Sequence, residues 1–206
     1  ITKKILDAIA SEQKVVHYID MPIQHIDPRL LKLMNRPRPE LDILSFVKQI
    51  RRLIPDVVLR TTVIVGFPGE TFGAFRNLLK GLEQLRFERL GAFIFSPEEG
   101  TPAEKLPKRV SSLISERRYQ SLMEIQSEIS YEYNKLRIGK VYKVLIEQFD
   151  GDRQCWVGRS YAEAPEVDGV IWINSKVSLQ IGSFCNVRIT DAETYDVVGE
   201  VVEEII

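Results

Sequence analysis

Along the first two thirds of the chain, short β-branched runs alternate with longer stretches in which every third or fourth residue is apolar. That is the sequence form of a parallel α/β sheet. Residues 1–14, ITKKILDAIASEQK, predict an amphipathic helix, and Val15–Asp20 a short strand that Pro22 prevents from running on. A helix is predicted over about Asp27 to Met34, with Pro28 in the first turn, where its missing N–H does no harm. Ile43, Phe46, Val47, Ile50, Leu53 and Ile54 share one face of the next helix, which Pro55 ends. Val57–Val65 is almost all β-branched between Pro55 and Gly66, and predicts a central strand. Phe72, Phe75, Leu78, Leu79, Leu82 and Leu85 then mark a helix, and Leu90–Phe95 a further strand.

Residues 96–109 are too rich in Pro and charge for either element. A long helix is predicted from about Ser112, with Leu122, Ile125, Ile129, Tyr133 and Leu136 at spacings of three and four, ending near Gly139. Beyond it the period changes to two, and five short strands are predicted near 141–148, 154–160, 169–174, 184–190 and 197–205. Five strands of that size suit a small OB-like barrel. The expected organisation is an α/β domain over 1–137, the C-terminal part of a TIM-like barrel, followed by a β-barrel over 138–206.

Composition narrows the chemistry. No run of eighteen apolar residues occurs and the first residues are unlike a signal peptide, so a soluble, cytoplasmic protein is expected, with no membrane partner. The two cysteines, Cys155 and Cys185, lie thirty residues apart, too few for the thiolates of an iron–sulfur cluster, and are read as barrel-packing residues in a reducing compartment. Net charge is −1 overall but divides unevenly: residues 137–206 hold 7 Lys/Arg against 12 Asp/Glu, a net of −5. Such a surface repels phosphate backbones and attracts basic partners.

The strongest local signal is Gly66-Phe67-Pro68-Gly69-Glu70-Thr71, between the best strand and a helix. Ligands of parallel α/β folds lie at the carboxyl ends of the strands, where glycines let them approach the backbone. The alternative is a plain strand-to-helix turn. Gln24-His25 follows the strand before it, and Ser96-Pro97-Glu98-Glu99-Gly100-Thr101 the strand after it, so three strand ends are expected to converge on one mouth. Arg60, in an otherwise apolar strand, needs a polar or anionic partner, either a ligand or a structural ion pair with Asp20 or Glu70. Glu70 also suits the first turn of a helix. His17 and His25 read first as core or rim residues.

These segments resemble a known family. YIDMPIQH (18–25), LRTTVIVGFPGET (59–71) and FSPEEGTPA (95–103) are similar to the fourth, fifth and sixth strand ends of the radical S-adenosylmethionine (SAM) methylthiotransferases. GRSYAEAPEVDGVIWI (158–173) and ITDAETYDVVGEVV (189–202) resemble their C-terminal TRAM domain. The resemblance implies insertion of a methylthio group at an unactivated C–H bond, with SAM and two [4Fe–4S] clusters as cofactors. It implies SAM contacts for Gln24, Arg60, Val65, Gly66, Phe67, Glu70 and Ser96, and acceptor contacts for Glu98, Glu99, Arg159, Tyr161 and Asp168. The CxxxCxxC motif of the family is not in this sequence. No catalytic or metal-ligating residue is therefore expected in this chain, which is expected to be inactive unless an upstream segment is restored; a cluster-free recognition protein is the alternative. SPEEGT at 96–101, APEVDG at 164–169 and the acidic terminal segment resemble the RimO-like branch, whose acceptor is an aspartate β-carbon of a basic small-subunit ribosomal protein, number twelve. The MiaB-like branch, acting on tRNA adenosine, tends to have arginine in the first of these loops and fits less well. For an acidic surface, solubility alone is the competing account.

Overall fold

The computed structural model describes residues 1–36 and 42–204. The chain forms two compact units, one of Ile1–Val15 with Ile19–Gln126 and the other of Val16–Tyr18 with Ser127–Ile206. Among the described residues no helix is long and apolar enough to cross a membrane.

In the first unit the order is α1 (Lys3–Ser11), β1 (Tyr18–Asp20), α2 (Pro28–Leu33), α3 (Ile43–Leu53), β2 (Val58–Val65), α4 (Phe72–Leu85) and β3 (Arg89–Ile94). The strands form one sheet in the order β1-β2-β3, with β2 and β3 parallel from Arg60↔Arg89 to Val65↔Ile94. A parallel bridge, Gln24↔Val63, prolongs the pairing beyond β1. Leu59, Val63 and Val65 on β2 meet Val47, Ile50, Leu78, Leu82 and Leu85 from the helices in the main core.

The helix boundaries follow side-chain chemistry. Asp27 caps α2, its carboxylate accepting from the N–H groups of Arg29 and Leu30, and Pro28 occupies the first turn as expected. Thr71 caps α4 by accepting from the Ala74 N–H at 3.1 Å. At the other end of α4 the chain turns left-handed at Arg86, and the Arg51 guanidinium donates to the Leu85 and Arg86 carbonyls, which the helix itself leaves unpartnered.

Two expectations need correction. The first strand begins at Tyr18, not Val15: Val15 and Val16 are exposed, and apolar character without a pairing partner does not make a strand. Residues 96–109 are not wholly irregular, since Pro102–Lys105 forms a 3-10 turn.

Helix α5 (Ser112–Lys135) runs through the division between the units. The second unit is a closed barrel of β4 (Val141–Asp150), β5 (Cys155–Arg159), β6 (Ile171–Asn174), β7 (Phe184–Ala192) and β8 (Val197–Glu204) in the order β4-β5-β6-β8-β7, with β4 also paired to β7. The predicted end of its last strand, 205, lies outside the described residues. Closure removes the sheet edges, and a bulge between Ile146 and Gln148 bends β4 so that it can pair on both sides. Val144, Ile146, Ile171, Ile173, Val187 and Ile189 fill the interior, and Cys155 and Cys185 are buried free thiols.

Arg137 is 1% exposed, stacked over Tyr142 and Tyr133 and donating to Glu163, which also accepts from the N–H and hydroxyl of Ser160. Burial alone would lower the guanidinium pKa, but the attraction of Glu163 outweighs it and the net direction is upward.

Candidate functional site

Because β2 and β3 are parallel, the segments that follow β1, β2 and β3 emerge at one end of the sheet. They enclose an open cavity of about 580 Å³, lined by Gln24 after β1, Ile64 and Phe67 around the end of β2, Phe93 to Ser96 at the end of β3, Leu33 to Arg36 after α2, and Thr101 to Ala103. Phe67 and Phe95 meet edge to face at 4.9 Å and form an aromatic wall, backed by buried Leu30 and Ala74. Gln24 adopts a left-handed backbone, φ 64°, between two hydrogen bonds: its N–H donates to Thr62 O and its carbonyl accepts from the Ile64 N–H. A non-glycine residue in that region costs energy and persists only where its surroundings hold it; here pairing to β2 does so.

Behind the cavity lies a buried polar cluster centred on Glu70. Its Oε2 accepts from the Gly66 N–H at 2.6 Å and from Arg118 on α5 at 2.5 Å, and its Oε1 faces His25 Nε2 at 3.3 Å. His25 Nδ1 accepts from the Asp27 N–H at 2.9 Å, so in the neutral ring the proton sits on Nε2 and is donated to Glu70. One carboxylate thus ties the segment after β1, the β2–α4 turn and α5 together. Removing any of these partners leaves a buried group unsatisfied.

The residues singled out in the sequence fall into three groups. Gln24, Phe67 and Ser96 line the same cavity. Val65, Gly66 and Glu70 are turned to internal duties: the Val65 side chain is fully buried and its carbonyl accepts from the Phe95 N–H, Gly66 gives its N–H to Glu70, and Glu70 is the hub just described. Arg60 pairs with Asp20 at 2.7 Å, the structural alternative raised for it. Gly66 also has an internal reason to lack a side chain: a Cβ there would stand 2.2 Å from Ser115 Oγ, and its φ is +76°. The third group lies apart from the cavity lining. Glu98 and Glu99 are exposed in the turn before Thr101. Arg159 donates to Glu147 at 2.7 Å, Tyr161 lies 6.2 Å from the Tyr142 ring, and Asp168 accepts from the Ala164 N–H within its own loop.

Sequence reasoning missed Ser115 and Arg118, which read as the polar side of a long helix, and it missed Asn35 and Arg36. The Asn-Arg pair closing a short helix was a signal for the latter two, since asparagine is the commonest non-glycine residue at a left-handed helix end.

The donor set does not fit an iron–sulfur cluster: among the described residues no group of three His, Cys, Asp or Glu side chains could hold a metal, and both cysteines are buried in the second unit. The cavity does fit a nucleoside-sized ligand, with an aromatic wall, an apolar floor and a few neutral polar groups at its rim.

Two segments of the chain match models of known domain families. Residues 1–82 match the Radical SAM superfamily model and residues 138–202 the TRAM domain model. The fold is similar to that of coproporphyrinogen III oxidase (HemN) from Escherichia coli, a radical SAM enzyme, with a TM-score of 0.55 at 17% identity, covering 92% of this chain and 44% of that one. Over nearly its whole length the chain is similar to ribosomal protein uS12 methylthiotransferase RimO. The RimO of Clostridium acetobutylicum is 43% identical over 99% of this chain and 45% of its own length; that of Clostridium kluyveri is 45% identical over the same shares. Both matched segments lie in one chain, and the similarity to RimO proteins runs along nearly all of it. The chain spans about half the length of the curated relatives it matches.

Proposed function

We propose that this chain is the part of a radical SAM methylthiotransferase that holds SAM and docks the acceptor, the reaction being methylthio transfer to the β-carbon of an aspartate in ribosomal protein uS12. The observation that carries the reading is the shared cavity at the strand ends, in a chain similar to RimO over nearly its whole length. Residues 1–137 form the SAM-binding part and residues 138–206 the acceptor-docking part. Gln24, Phe67 and Ser96 face the nucleoside directly, with Phe67 and Phe95 offering it an aromatic surface. Val65, Gly66 and Glu70 hold the turn that bears Phe67, and Arg60 braces β2 against Asp20. When bound, SAM supplies the radical-generating and methyl-donating chemistry; the residues of this chain bind, orient and exclude water. No step is assigned to an iron–sulfur cluster, because the described residues bring together no set of ligands for one.

For the acceptor, the −5 charge of residues 137–206 favours a basic protein over a phosphate backbone. Glu98 and Glu99 suit basic side chains, and Arg159, Tyr161 and Asp168 shape the docking loops of the barrel. The test is anaerobic cluster reconstitution of the protein at the full length of its gene, then mass spectrometry of uS12 and of tRNA after incubation with SAM. Methylthio addition to a uS12 aspartate is expected, and addition to tRNA alone would overturn the assignment.

A further inference from the structure

Among the described residues, every side chain lining the cavity is uncharged except one. Arg36 stands at its exposed rim, and among the described residues its guanidinium has no hydrogen-bond or ion-pair partner. Its backbone is fixed all the same. Asn35 is left-handed, φ 53°, the Arg36 N–H donates to Leu31 O at 2.9 Å and the Asn35 N–H to Lys32 O at 3.1 Å, so α2 ends in a Schellman-type turn that delivers residue 36 to the rim. Gln24, Asn35, Ser96 and Thr101 add neutral polar groups around it.

A planar cation with five donors, beside neutral hydrogen-bonding groups and with no anion among the described lining residues, is the complement of a carboxylate. We infer that Arg36 is a specificity-determining carboxylate clamp. The inference rests on the function proposed above, under which two carboxylates approach this mouth: the amino-acid end of SAM and the side chain of the acceptor aspartate. Both offer the same chemistry to a guanidinium. The backbone left-handed at Gln24 and at Asn35 keeps both sides of the rim in place, while the Arg36 side chain itself is ordered by the carboxylate it meets.

The test uses the full-length, cluster-reconstituted protein and calorimetric binding. R36Q and R36K are compared with the parent for S-adenosylhomocysteine against methylthioadenosine, which lacks the amino-acid end, and for a uS12 peptide against its Asp→Asn form. Since Arg36 is exposed and makes no side-chain bond among the described residues, R36Q is expected to melt with the parent. R36Q should weaken one carboxylate-bearing partner roughly 10- to 100-fold while its carboxylate-free counterpart changes by less than about twofold, and R36K should fall between. Loss confined to S-adenosylhomocysteine identifies the cosubstrate as the source, and loss confined to the Asp peptide identifies the acceptor. Equal loss for both members of each pair, no loss in any, or an effect on tRNA binding alone overturns the clamp. If the parent protein fails to modify uS12 while the carboxylate discrimination persists, the proposed reaction falls and the clamp stands.

Discussion

Gly66→Ala is the sharpest probe of why this turn is built as it is. Two separable costs are expected. The backbone at φ +76° penalises any L side chain by about 1–2 kcal/mol. The new methyl group would also stand 2.2 Å from Ser115 Oγ and 2.8 Å from Ser115 Cβ, and overpacking of that kind costs about 1–3 kcal/mol. The sum is about 2–5 kcal/mol. Ser115→Gly removes both clashing atoms and by itself costs about 0.5 kcal/mol as a glycine in a helix. The double variant should therefore regain about 1–3 kcal/mol relative to the sum of the singles, keeping only the backbone penalty. Urea unfolding followed by far-ultraviolet circular dichroism measures this, while tryptophan fluorescence serves as an internal control, because Trp156 and Trp172 both lie in the second unit. Additivity of the two substitutions within about 0.5 kcal/mol would refute the packing account and return Gly66 to a role in admitting ligand.

Glu70→Gln should destabilise the first unit by about 3–5 kcal/mol, since the buried Arg118 cation loses its counter-charge; a fall in thermal midpoint of roughly 10 °C is expected, and a loss below about 1 kcal/mol would show that the cluster is not the brace described. Glu163→Gln should similarly cost the barrel about 3–5 kcal/mol by stranding Arg137, read by tryptophan fluorescence in urea. Replacing both partners with apolar residues, R137M with E163L, should recover most of that loss, and a double variant as unstable as the single would show that the charge was not the cause.

Much of this molecule was determined by local sequence. The β-branched run ending at Val65, the 3.6-residue faces at 43–54 and 72–85, Asp27 with Pro28, and the alternation after 140 each specify an element from within their own window, because burial of one face and satisfaction of the end groups are local demands. The convergence of Gln24, Phe67 and Ser96 was legible for a related reason: parallel strands place all their following turns at one end. What only the tertiary structure decided are relations between residues distant in sequence. Glu70 reaches across 48 positions to Arg118 and 45 to His25, a side chain at Gly66 would meet Ser115, and Arg36 is the charged residue among the described ones at a rim assembled from four segments. A window of sequence shows that a glycine or an arginine is present; which atom opposes it is settled by how helices pack, and packing has no signature shorter than the chain.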